Sequence, residues 1–318
     1  MPDSAEAFFP CRLTGPDDHF QASPDWISEI KKVAEANCPV SDKPKFRFST
    51  EKDDIKHNAA LLKKHNCNMA EVLKEQKGST VWHGSEFRPV SQLAKTTGDH
   101  PTFECLAETL TQGVDHWFKD DISREELVEE REAQLKKGNH ESATKNETEL
   151  KKMPGKEVKC GFSLPFEPSE TEHADGAEVQ PVGKVSQFSL SKGGTRSLKD
   201  RMTRDLSHCI SKKRISVNDQ VDVKCHPEMV CGWRLLRIIH FVVCLRCMHP
   251  QLRICIAKFD CSDACRRTSR TASAAIKSMS VMAGVACMAL RLAFRGSPNP
   301  ACFCTFSETL TDVASELS

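Results

Sequence analysis

Tyrosine is absent from this chain of 318 residues, which carries 16 Phe and 4 Trp. A chain of that length and aromatic content is expected to hold several, so the gap says something about how the sequence arose. Long apolar runs are missing too. The two longest, near 238–245 and 281–290, fall short of the about 20 residues a membrane-spanning helix needs. Arg237, Arg246 and Arg291 sit against or inside their ends. No membrane partner is expected. The opening MPDSAEAFFPCRLTGPDD lacks the basic region and apolar stretch of a secretory signal, so an intracellular location, cytoplasm or nucleus, is expected. Nor does one charge dominate: 45 Lys and Arg face 44 Asp and Glu. Whole-chain charge therefore says nothing about partners, and only its distribution can.

Cysteine is plentiful, at 16 residues, but irregularly spaced in a long chain with no secretion signal. Reduced thiols are the better expectation. Residues 1–78 are polar and loosely patterned, and read as a partly disordered or helical leader. Within them Ser23 and Pro24 mark one helix start. A second helix is expected over about 54–76, with Leu61, Leu62, Met69, Val72 and Leu73 on its apolar side. Residues 79–155 read as a helical connector. Its 101–150 portion has 13 Asp and Glu against 6 Lys and Arg, a net −7. Ser123 and Glu126 form a capping box there and Gly138 is placed to end the helix.

Beyond residue 155 the pattern changes. Strands are expected over 158–166 and 179–188. From Arg196 to Arg270 the charge reverses, with 16 Lys and Arg against 7 Asp and Glu, a net +9. Such a stretch suits contact with a phosphate backbone, though an ordinary solvated surface would look the same. Within it Trp233 to Met248 reads as a helix with Leu236, Ile239, Val243 and Cys247 on one side. A buried strand is expected over 252–260, a helix over 272–280 and a strand over 285–294, followed by a turn at Gly296, Ser297 and Pro298.

The residues most charged with chemistry are Phe259-Asp260-Cys261-Ser262-Asp263-Ala264-Cys265. A carboxylate ending an apolar strand is costly in a core but common where a divalent metal is held. The plainer reading has Asp260 capping the following helix, with Asp263 in its first turn. Asp-x-x-Asp-Ala followed by an aromatic resembles the first polymerase motif of reverse transcriptases. Upstream, Arg201-Met202-Thr203-Arg204-Asp205-Leu206 is similar to the fingers motif of that family. Downstream, Gly296-Ser297-Pro298 is similar to its Gly-Ser-Pro turn. Gly84 to Pro89, and Gly138-Asn139-His140 through Asn146, resemble the pre-fingers region of retroelement polymerases from protists such as diatoms. The likeness covers about residues 80–318.

The resemblance implies an α+β fold. A helical or irregular N-terminal region would lead into fingers over residues 156–250 and an incomplete palm over 251–318. It implies RNA-directed DNA synthesis, with a template-primer and a dNTP as partners. Asp260 would be the catalytic ligand of Mg²⁺, Arg201 would hold the triphosphate, and Cys265 would stand at the ribose gate. Ser297 would lie beneath the nucleotide, with Gly296 and Pro298 shaping its turn. Asp205 and Asp263 would be structural. An Arg suits the triphosphate role because its planar fork pairs with phosphate oxygens.

Departures from the family pattern are equally specific. The family's second carboxylate pair, x-Asp-Asp, is absent from residues 299–318. Two-metal catalysis needs carboxylates from both motifs, so the chain by itself is expected not to polymerise. In related elements the positions of Cys265, Cys287 and His208 are usually aromatic, those of Arg204 and Arg270 are often His, and Arg295 stands where Gly is usual. These departures, with the missing Tyr, point to a degraded copy or to biased mutation of tyrosine and histidine codons, and the alternative function is a non-catalytic nucleic-acid-binding or functionless product of a degraded retroelement. Cys244-x-x-Cys247 with His240 and His249, near Cys225, Cys231, Cys302 and Cys304, has some of the residues of a zinc site. Both members of the Cys-x-x-Cys pair fall within an apolar helix, however, where thiols act as small hydrophobes.

Overall fold

The computed structural model describes residues 45–75, 90–101, 103–119, 122–150, 152–190, 194–211, 214–226, 233–254, 264–293 and 295–316. The first helices are α1 (Lys52–Lys64) and α2 (Met69–Glu75). They replace the single helix expected over 54–76. Asn66 and Cys67 both take the left-handed conformation, which ends α1. The side chain of Asn68 then accepts from the amides of Ala70 and Glu71 and starts α2. Short helices follow: α3 (Val90–Thr97), α4 (Phe103–Gln112), α5 (Arg124–Lys137), α6 (Glu141–Thr144), α7 (Glu147–Leu150) and α8 (Lys152–Lys159). Helix α5 carries the expected capping box, and Gly138 follows it with a positive φ.

Two sheets organise the rest. The hairpin pairs β2 (Val182–Leu190) with β3 (Arg196–Arg204), antiparallel, with Val185 opposite Arg201 and Phe188 opposite Leu198. The second sheet has three strands: β1 (Ser163–Phe166), β4 (Met279–Met282) and β5 (Val285–Ala289), in the order β1-β5-β4, all antiparallel. Residues expected to begin a strand at 158 instead close α8, where Gly161 takes a positive φ. The helix expected over 272–280 stops early: α11 covers Ala272–Ile276, capped by Thr271, and Met279 already pairs with β5. Positive φ at Ala283 and Gly284 makes the tight turn between β4 and β5. The strand expected to reach 294 ends at Ala289, and Arg291 makes only an isolated bridge to Ser269.

The main core lies on this three-stranded sheet. Leu164 and Phe166 of β1, Met279 of β4 and Met288 of β5 are fully buried with Ile276 of α11. Phe46, Leu61, Leu62, Met69 and Val72 belong to the same cluster. The described part of the expected leader is therefore helical and is packed into the core of the following region. Asn58 locks that packing. It is fully buried, its Oδ1 accepts from the Arg47 amide at 2.8 Å, and its Nδ2 donates to the carbonyls of Arg47 and Pro165 at 2.8 and 2.7 Å. The carbonyl of Pro165 belongs to β1, so one amide joins α1 to the sheet.

The remaining elements are α9 (Val217–Gln220), α10 (Trp233–Met248), a 3₁₀ turn (Ala264–Arg267) and α12 (Asn299–Glu316). Helix α10 has the expected bounds but not the expected burial. Leu236 is 57% exposed and Val243 53%, and Cys247 is exposed. Hydrophobic spacing identified the apolar side without identifying anything that covers it. Of the strand expected over 252–260, residues 255–260 lie outside the described residues. The described part, 252–254, is not strand, and Leu252 is exposed. Among the described residues no helix is long and apolar enough to cross a membrane.

Replacing Asn58 by Ala leaves the amide and carbonyl of Arg47 and the carbonyl of Pro165 without this partner. The substitution is expected to lower unfolding stability by about 1–3 kcal/mol. Urea denaturation checks it; a loss below about 0.5 kcal/mol contradicts the role given to Asn58.

Candidate functional site

Strand β3 carries Arg201 and Arg204, the arginines of the segment that resembles a fingers motif. Alternation along a strand puts Arg201 and Arg204 on opposite faces. Arg204 is buried against the three-stranded sheet, while Arg201 is half-buried. The chain then turns at Asp205, whose amide donates to the Pro181 carbonyl at 3.0 Å. Its carboxylate accepts from the Ser207 amide at 3.3 Å and meets Nε2 of His140 at 3.0 Å.

The Gly-Ser-Pro turn is tied to this loop by one residue, Asn218. Its Nδ2 donates to Ser207 Oγ at 2.8 Å and to the carbonyl of Arg295 at 2.9 Å. Its Oδ1 accepts from the Ser297 amide at 2.9 Å, and its carbonyl from Ser297 Oγ at 3.4 Å. A capping box of Ser216 and Asp219 starts α9 and fixes Asn218 in its first turn. Gly296 is needed where it is, because a Cβ there would meet the Asn299 side chain at 2.4 Å. Pro298 is buried and its carbonyl accepts from the Cys302 amide in the first turn of α12. Ser297 itself is exposed.

Cys265 lies in the 3₁₀ turn, half-buried, and packs with Val114, Leu292 and Cys302. Burial pushes its thiol up from the ordinary value, which keeps it protonated at neutral pH. The neighbouring Arg266 pairs with Glu157 of α8. Glu157 also takes Arg204 Nη1 and Nη2, both at 3.1 Å, and the hydroxyl of Ser163 at 3.1 Å. Arg204 is completed by Ser280 at Nε and Ser163 at Nη2, each at 3.1 Å. Burial pushes the Glu157 carboxyl up, but Arg204 and Arg266 outweigh it and hold the group below its ordinary value. Arg270 lies close by, fully buried, with Nη1 on Ser278. Burial first, then Arg266 and Arg204, lowers its pKa to about 9, so it remains charged at pH 7. Among the described residues its Nε and Nη2 have no hydrogen-bond partner.

The structure thus brings Asp205 and the Gly296–Pro298 turn together through Asn218, and joins the strand of Arg201 to the turn of Cys265 through Glu157. Asp260 and Asp263 lie outside the described residues. Sequence reasoning missed Asn218 and Glu157, although the Ser216-x-x-Asp219 capping box was there to flag the first. The Cys244 and Cys247 pair gains no zinc geometry: Cys244 faces His240 at 3.7 Å on its own helix, and both lie on the exposed α10.

One cluster among the described residues could hold a metal: His140, Asp205 and His208, with ligand atoms within 4.8 Å of one another. Two imidazoles do not suit Mg²⁺, which prefers oxygen ligands, so these residues do not fit the cation implied by the resemblance. A cavity of about 30 Å³ lies beside them, lined by Glu130, Arg131, Gln134, Glu178, Gln180 and His208. It is far too small for a nucleotide. Compared with protein-family models, curated proteins and solved structures, the chain matches none.

Arg295 holds φ at 73°, in the left-handed region that favours glycine. A side chain there costs about 1–2 kcal/mol, part of which glycine's greater chain entropy offsets. Arg295→Gly is therefore expected to raise stability by about 0.5–1 kcal/mol in urea denaturation. A loss of stability contradicts the strain.

Proposed function

We propose that this chain is a reverse-transcriptase-like retroelement protein, comprising the fingers and part of the palm, that holds a template-primer and a dNTP without completing polymerisation alone. The observation carrying this reading is the convergence of two motif segments, distant in sequence, on Asn218: the loop following Arg201 and the Gly-Ser-Pro turn that opens α12. The β2–β3 hairpin adds support. Near its tip Phe188 is 63% exposed and the guanidinium of Arg196 lies 3.8 Å from its ring centroid. Lys199 is exposed on the same strand. Phe188 and Arg196 share one face of the hairpin and Lys199 lies on the other; an exposed ring with a guanidinium against it suits stacking on a base, with phosphate contacts on either face.

In this reading Arg201 takes the triphosphate, Ser297 supports the nucleotide and Asp260 would hold Mg²⁺. Residues 299–318 hold no Asp-Asp pair, and two-metal catalysis draws carboxylates from both motifs. Cys265, Cys287 and Arg295, at positions where the family pattern has other residues, favour the second reading, a nucleic-acid-binding or functionless product of a degraded element.

The purified chain is expected to bind an RNA–DNA primer-template with an affinity that falls as salt rises. In fluorescence anisotropy, Arg196→Ala and Lys199→Ala should each reduce the slope of log affinity against log salt by about 1. Primer extension with Mg²⁺ should give no product. Extension abolished by Asp260→Asn overturns the expectation of inactivity; absence of any salt-dependent binding overturns the proposal and favours the functionless reading.

A further inference from the structure

We propose that His140, Asp205 and His208 form a zinc site that pins the loop before α6 to the base of the β2–β3 hairpin. The three side chains come from two separate segments and meet at one point. Nε2 of His140 lies 3.0 Å from Oδ2 of Asp205. The rings of His140 and His208 stand nearly perpendicular, at 88°, with centroids 5.7 Å apart. All three ligand atoms lie within 4.8 Å of one another. Zinc bonds of about 2.0–2.1 Å put tetrahedral ligands about 3.4 Å apart, so a small contraction closes the site. Two imidazoles and a carboxylate are a donor set that zinc accepts, leaving a fourth position for water.

The backbone holds these residues in place before any ion arrives. The His140 amide donates to the Val182 carbonyl at 3.0 Å, and the Asp205 amide to the adjacent Pro181 carbonyl at 3.0 Å. The His208 amide donates back to the Asp205 carbonyl at 3.1 Å. Asn139 accepts from the Val182 amide at 2.8 Å and donates to the Val281 carbonyl at 2.9 Å, which clamps the His140 loop across both sheets. His140 and Asp205 keep 38% and 26% of their side-chain surface, enough for an ion to enter.

Lys137 is the competitor. Its Nζ lies 3.2 Å from Nε2 of His208, so the ring presents an unprotonated nitrogen to a cation already. A zinc ion held here would compete with the Lys137 ammonium for the His208 ring.

The test is a Co²⁺ titration of the full chain, kept reduced, followed by Zn²⁺ competition. Co²⁺ is expected to give visible ligand-field bands without the near-ultraviolet thiolate band that cysteine ligation would add. His208→Gln, with unchanged circular dichroism, should weaken binding at least about tenfold. Lys137→Met should tighten it, an effect that loss of a purely structural contact would not produce. Binding that carries the thiolate band and is equal in His208→Gln overturns the site, as does no binding at all. The outcome is independent of nucleic-acid binding, because neither His208 nor Lys137 belongs to the hairpin tip.

Discussion

A single carboxylate, Glu157, meets two guanidiniums beneath the sheet, and the arrangement of everything above it depends on that meeting. Glu157 sits on α8, Arg204 ends β3 and Arg266 lies in the 3₁₀ turn beside Cys265. Three stretches of chain far apart in sequence therefore share one charge. Arg204 is nearly inaccessible, so its guanidinium must be fully bonded to stay there; Glu157, Ser163 and Ser280 do this. Arg204 and Arg266 together hold the Glu157 carboxyl below its ordinary value against the effect of burial.

Polar side chains that satisfy backbone groups do the remaining long-range joining. Asn58 connects α1 to β1, Asn139 connects the His140 loop to both sheets, and Asn218 connects the loop after Asp205 to the turn before α12. Each amide supplies a donor and an acceptor at once, which suits it to bridging strands and loops whose own groups would otherwise be buried unpaired. The hairpin tip lies beyond these clamps. Phe188, Leu198, Arg196 and Lys199 are exposed there, where a ligand can reach them.

Local rules were legible in the sequence where the signal was local. The capping box at Ser123 and the bounds of α10 follow from side chains within a turn or two of each other. Errors arose where tertiary contacts or special backbone angles decided. The break between α1 and α2 depends on left-handed Asn66 and Cys67, and the early end of α11 on Met279 pairing with β5. The motif residues Arg201, Asp205 and Gly296–Pro298 could be named from their pattern. The residues that hold them, Asn218 and Glu157, could not, because nothing in a linear sequence says that Glu157 reaches Arg204 and Arg266. The His140 cluster was hidden for the same reason: its members are separated by β2 and β3. Arg295 is the reverse case. A residue noted as unusual beside a turn proves to occupy a backbone conformation suited to glycine.

The dependence on Glu157 is tested most directly by a double-mutant cycle in urea denaturation, with Glu157→Gln, Arg204→Met and the pair. The account predicts that the two residues are coupled by about 2–3 kcal/mol, so the double variant loses much less than the sum of the single losses. Additive losses, with coupling within about 0.5 kcal/mol of zero, would contradict it.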